Sequence, residues 1–264
     1  MFGKGKREAQ PGPREDGLTD YNVYQMSRRE RFLTMAAAAA VLFAVGYVFY
    51  HNPVLSGLLA LLCVKAPAMQ TKRLIEKRKT RLTLQFKELL YALASALSVG
   101  KSVETGLRDC LKDLRVIYPD PETDILREME YILRGIEMNR TVEEMFQLFA
   151  ERAHLEDIDN FVDIFVTCKR TGGDLIQVMR STSNIIGEKI EVKQEIQTMI
   201  SGKKYEFQMM MVLPVVMVAF LTATSGDYMA PVFREIPGIA AMTAAIGIFL
   251  LSYGIGAKIM KIDI

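Results

Sequence analysis

Apolar residues follow two different patterns along this chain. In residues 34–50, 53–69, 207–225 and 238–257 they run on almost unbroken, while between the second and third of these runs they recur every three or four residues among charges. Runs of about 17 residues are just long enough, at 1.5 Å per residue, to cross a hydrocarbon layer as helices. Neither of the first two shows a polar face, which disfavours a buried hairpin in a soluble core. Asn52 and Pro53 suit the cap and first position of a second helix. Lys65 can extend to the interface, and Pro214 is expected to kink the third run.

The periodic block predicts six helices. Leu82, Phe86, Leu89, Leu90, Leu93, Ala94 and Leu97 form the stripe of the first, which Gly100 ends. Ser102 caps a second helix carrying Val103, Leu107, Cys110, Leu111 and Leu114. Asp120 and Pro121 open a third with Ile125, Met129, Ile132 and Leu133. Thr141 and Glu144 form a capping box for a fourth, through Met145, Leu148 and Phe149. A fifth runs from about Ile158 through Phe161, Phe165 and Cys168 to Gly172-Gly173. Asp174, with Gln177 three residues on, starts a sixth that heads toward the third apolar run.

The block also echoes itself. Gly100-Lys101-Ser102-Val103 with Leu107 aligns on Gly172-Gly173-Asp174-Leu175 with Met179. Upstream, Leu89, Leu90, Leu93 and Ala94 align on Phe161, Val162, Phe165 and Val166. Both copies read helix, glycine, polar cap, helix.

Composition changes the picture mainly through where the charges lie. The 264 residues are 50% hydrophobic and 24% charged, with a formal net charge of +2 that argues against a nucleic-acid footprint. Basic residues crowd before the first run, after the second, before the third and after the fourth. The positive-inside rule therefore places both termini and the central block in the cytoplasm. Residues 1–33 read as a tail and a juxtamembrane helix beginning near Tyr21, with Ser27 and Glu30 as a capping box and a basic, lipid-facing surface. The first apolar run starts only near Thr34 and lacks a small-residue cleavage site, so a cleaved signal is not expected.

Catalytic signatures are missing from the sequence. Gly100-Lys101-Ser102 resembles the tail of a P-loop but lacks its upstream glycine and follows a helix. The three cysteines, Cys63, Cys110 and Cys168, share no metal-type spacing, and His51 and His154 are the only histidines. Of the acidic groups, Asp120, Glu122 and Asp124 suit a helix start, and Glu156, Asp157 and Asp159 a solvated face, better than a cation site. No catalytic, cofactor or metal residue is expected, and the chain is read as a non-enzyme. A small multi-span transporter or channel subunit is the alternative; it would need polar groups meeting at mid-membrane.

Several stretches together carry a resemblance. They are residues 89–107 around Gly100, Glu151-Arg152 followed by residues 157–161, residues 169–179, Leu213-Pro214, and the ending 258–264. Across roughly residues 82–225 the chain resembles the F-domain proteins of type II secretion and type IV pilus systems, most closely the TadB-like platform proteins of Tad (Flp) pili. It departs from them at Gly187-Glu188-Lys189, where an arginine-bearing segment is expected.

The resemblance implies an all-α membrane protein with four transmembrane helices, two N-terminal and two C-terminal, flanking a cytoplasmic helical-bundle F domain. The corresponding limits are 34–69 for the first pair, 70–206 for the bundle, 207–257 for the second pair and 258–264 for the cytoplasmic C-terminus. The implied partners are a hexameric secretion ATPase of the TadA/CpaF kind, a second, TadC-like F-domain protein, pilin subunits and membrane lipid, in a homo- or hetero-oligomer. The expected contact residues surround the two hairpin turns: Lys101, Glu104, Lys169, Arg170 and Asp174, with Gly100, Gly172, Gly173 and Pro214 as structural turns.

Overall fold

A computed structural model describes residues 20–23, 26–50, 52–61, 66–225, 231–233 and 235–259. Among these residues the structure is helical, without a strand. The helices of two turns or more are α1 (Arg28–Tyr50), α2 (Pro53–Ala60), α3 (Ala66–Ser98), α4 (Val103–Ile117), α5 (Asp124–Glu137), α6 (Val142–Ala153), α7 (Glu156–Thr171), α8 (Leu175–Thr224) and α9 (Ile236–Ile259). The chain divides into two compact units. One combines Thr71–Val192 with the described residues up to Met26; the other combines Ser27–Gln70 with the described residues from Lys193 on.

The first unit is built by amphipathic helices that close their stripes on one another. Leu82, Phe86, Leu89, Leu90, Leu93 and Ala94 of α3 are buried, as are Leu107, Cys110 and Leu114 of α4 and Met179 and Ile186 of α8. The centre is aromatic. Phe161 meets Phe86 at 5.4 Å and Phe146 at 5.6 Å between ring centroids, both edge to face, and Phe165 at 5.6 Å. Edge-to-face pairs place the positive rim of one ring on the negative face of the next, which adds to the apolar burial. Helices α4 and α5, α5 and α6, and α6 and α7 pack as consecutive neighbours.

The caps follow the expected chemistry at most helix starts. Ser102 Oγ accepts the Thr105 N–H at 3.2 Å, Thr141 Oγ1 accepts the Glu144 N–H at 3.2 Å, and Asp174 Oδ1 accepts the Gln177 N–H at 3.0 Å. At α5 the structure corrects the sequence reading. The helix starts at Asp124, and Asp120 instead holds a turn by accepting the Glu122 N–H at 2.9 Å. The cap Thr123 gives α5 no side-chain bond; Gln85 of α3 accepts the Ile125 N–H at 3.3 Å in its place. The α3 helix also begins earlier than its apolar stripe, so the whole basic run 72–81 is helical.

In the second unit α1 packs on α2 and on α9. Tyr50 donates its hydroxyl to Thr243 Oγ1 at 3.0 Å, and Phe207 stacks on Tyr253. Among the described residues three helices are long and apolar enough to cross a membrane: α1, α8 and residues Pro237–Ile259 of α9. The expected second span is not among them. Residues 53–69 divide into the short α2 and the start of α3, and residues 62–65, with Cys63 and Lys65, lie outside the described residues. The four-span expectation therefore stands at three spans among the described residues. Pro214 lies inside α8 and supplies no N–H for the carbonyl one turn back.

Candidate functional site

Three turns stand at one end of the first unit, because consecutive helices alternate in direction. They join α3 to α4, α5 to α6 and α7 to α8. Each holds a residue in the left-handed region: Gly100 at φ 81°, Asn139 at φ 64° and Gly172 at φ 74°. The first and last need glycine because a Cβ is strained at such φ. Gly173 has another constraint, since a Cβ there would lie 2.6 Å from Cys168 Sγ. The two glycine turns thus match each other as the internal echo predicts, with Leu107 and Met179 buried at corresponding places.

The five expected contact residues are all exposed at this end, but three are engaged in local bonds. Lys101 Nζ donates to Asp109 Oδ2 at 2.7 Å. That hydrogen bond raises the lysine's pKa, and bonds from Lys101 and Lys112 lower that of Asp109. Lys169 Nζ donates to Glu143 Oε2 at 2.7 Å, tying the last turn of α7 to the first of α6. Burial pushes the Glu143 carboxyl up, but the Lys169 hydrogen bond, a backbone hydrogen bond and the Lys169 charge together hold it below its ordinary value. Asp174 serves as the α8 cap. Glu104 and Arg170 remain exposed on the first turn of α4 and the last of α7. No hydrogen bond or ion pair among the described residues joins the Gly100 turn to the Gly172 turn.

A shallow open depression on α8 is lined by Asp174, Ile176, Gln177, Arg180, Ser181 and Asn184. No group of three or more His, Cys, Asp or Glu among the described residues is placed to hold a metal ion. The acidic clusters are engaged elsewhere: Asp124 by Arg78, and Asp157 by Lys189 at 2.9 Å. Lys101 and Ser102, the P-loop-like pair, are likewise held by Asp109 and the Thr105 N–H. Burial pushes the Cys110 thiol up to about 12, so it stays protonated and unreactive.

The most constrained polar group of the bundle escaped the sequence reading. Glu128 of α5 is fully buried and Arg152 of α6 is 5% exposed. Arg152 Nη2 donates to Glu128 Oε2 at 2.5 Å, and its guanidinium lies over the Tyr131 ring at 4.8 Å. Tyr21 completes the group: its hydroxyl donates to Glu128 Oε1 at 3.0 Å and its N–H to the Arg152 carbonyl at 3.1 Å. Burial drives the Glu128 carboxyl above its ordinary value against the pull of Arg152 and Tyr21. Burial, then the nearby Glu128 charge, likewise raises the Tyr21 phenol.

Tyr21 was expected to begin a juxtamembrane helix. It lies instead in a turn, 2% exposed in the bundle core, seven residues before α1 begins at Arg28. Glu128 sits among apolar stripe positions of α5, a signal that could have marked it. Nothing local marks Tyr21, whose partner lies 107 residues away.

Residues 89–223 match the family model of the type II secretion system (T2SS), protein F. No curated protein and no solved structure matches the chain.

Proposed function

The chain belongs to the type II secretion system (T2SS) protein F family, and from that premise we propose that it is the inner-membrane platform of a Tad (Flp) pilus or a related secretion machine. In this reading the first unit lies in the cytoplasm and receives a hexameric secretion ATPase. A second F-domain protein completes the platform, and pilin subunits are lifted from the bilayer into the growing filament. The distribution of lysine and arginine supports that orientation. The protein itself carries out no reaction; it transmits motion.

The observation that carries the proposal is α8. It starts at the Gly172-Gly173 corner inside the bundle and runs unbroken for 50 residues into the apolar run that ends at Thr224. A helix resists bending far better than a flexible linker. Movement of the bundle at Asp174 would therefore reach the apolar part of the same helix.

A flexible Gly-Ser insertion after Gly202 tests this. The expected result is loss of pilus or secretion output in cells that retain normal amounts of the protein in their membranes. Unimpaired output would defeat transmission through α8. Co-purification of a secretion ATPase with the intact chain is the second expected result, and uptake of a small solute by vesicles holding this protein alone would favour a transporter instead.

A further inference from the structure

The fold splits the basic run 72–81 of α3 into two faces with different work. Arg78 and Lys79 turn to the bundle. Arg78 Nε donates to Asp124 Oδ2 at 3.1 Å, and its guanidinium lies 4.9 Å from the centre of the Tyr21 ring. Lys79 Nζ donates to Asn22 Oδ1 at 3.1 Å and to the His154 carbonyl at 3.0 Å. Arg73, Lys77 and Arg81 are exposed, with Lys72 beside Arg73. Spaced by four residues, they form one row about 12 Å long. No ion pair among the described residues engages any of these four. Glu76 is the one carboxylate within the run.

We propose that this row binds the phosphate headgroups of an anionic lipid surface. The inference rests on the membrane reading above. Lys72 lies six residues into α3, about 9 Å along its axis, and the chain just before α3 is the apolar α2. Covalent continuity keeps the row within reach of whatever hydrocarbon α2 occupies. The chemistry of the face also separates lipid from an acidic protein. No large hydrophobic residue is exposed between Met69 and Leu84, so the face lacks the apolar anchor on which protein hot spots are built. Flexible cations along an open helix suit a diffuse sheet of phosphates, and their aliphatic stems can lie along the lipid while the charged heads reach water. The sequence alone counts six equivalent basic residues; the structure removes Arg78 and Lys79 from the set.

The test uses the purified full-length chain in mild detergent, titrated with fluorescent phosphatidylglycerol or phosphatidylcholine and read by anisotropy. The wild type is expected to prefer phosphatidylglycerol by at least about tenfold at low salt, with the preference fading as salt rises. The variant R73Q/K77Q/R81Q is expected to lose about fivefold in phosphatidylglycerol affinity per charge removed, with an unchanged melting temperature. K79Q is expected to lower the melting temperature and keep the lipid preference. A wild type without preference, or a triple variant that keeps it, overturns the proposal. So does a triple variant that binds phosphatidylglycerol normally but loses an acidic protein partner, which would make the row a protein-docking face. If the wild type stays soluble after detergent removal, the membrane reading fails separately. The same titration against phosphatidylglycerol vesicles then still decides whether the row binds anionic lipid.

Discussion

Phe161 and Phe220 are the same residue type on long helices of one chain, yet they meet opposite surroundings. Phe161 is fully buried among Phe86, Phe146 and Phe165; Phe220 is 64% exposed on α8. The contrast holds for their whole units. The first unit turns its apolar stripes inward and its charges outward, and even its buried ion pair is fully hydrogen-bonded. The second leaves Leu213, Ile248 and Leu251 exposed on uncharged stretches of α8 and α9. Apolar surface left in water costs about 25 cal/mol per Å². The first unit meets that demand with its own residues, whereas the second needs a surrounding that is itself apolar. One chain therefore has two solvents, and the hydrophobic core cluster of the described residues lies in the first unit.

The largest effect should come from breaking the polar interior of the first unit. Arg152→Met leaves the Glu128 carboxylate buried without its cation, at an expected cost of about 3–5 kcal/mol. Adding Glu128→Leu should return much of that loss, because two apolar side chains need no solvation there. Thermal unfolding of the full chain in detergent measures both. A double variant no better than the single one would show that the pair itself holds the bundle together.

The comparison of the two phenylalanines is itself testable. Phe161→Ala removes a core ring and is expected to cost about 3–5 kcal/mol. Phe220→Ala should change unfolding by no more than about 0.5 kcal/mol in the same detergent. Equal losses would mean that α8 has a packed protein neighbour at Phe220, and the division into two solvents would have to be redrawn there.

An intermediate effect is expected where the chain leaves the first unit toward α1. Tyr21→Phe keeps the ring under Arg78 and removes only the hydroxyl bond to Glu128. The expected loss is about 1.5 kcal/mol, together with faster amide exchange in residues 20–23. Unchanged exchange there would mean that the ring and the Tyr21 N–H alone hold this segment to the bundle.

Most of the fold was legible in the sequence, for local reasons. Leu107, Cys110, Leu111 and Leu114 recur at helical spacing, so their burial follows once α4 forms. Ser102, Thr141 and Asp174 act on N–H groups only three residues ahead, a reach that spacing can reveal. The start of α5 was misplaced because Asp120-Pro121 is an equally good local start signal, and Gln85 on another helix decided between the two. The residues expected at partner contacts were chosen for their places beside turns. Their ion pairs were not legible, since Lys169 finds Glu143 only when α6 and α7 lie side by side.

The sequence by itself determined that this chain is helical, that charged amphipathic helices lie between apolar runs, and that two matching glycine corners shape the bundle. Periodicity, capping and the demand of Gly100 and Gly172 for positive φ act within a few residues, so no folded partner is needed to read them. Only the tertiary structure decided which charges are spent and which are free. It sent Arg78 to Asp124 and left Arg73, Lys77 and Arg81 in the open; it buried Glu128 against Arg152 and drew Tyr21 across 107 residues to meet them. A charge is free or engaged according to what stands within about 4 Å of it, and that neighbour is supplied by the packing of distant helices.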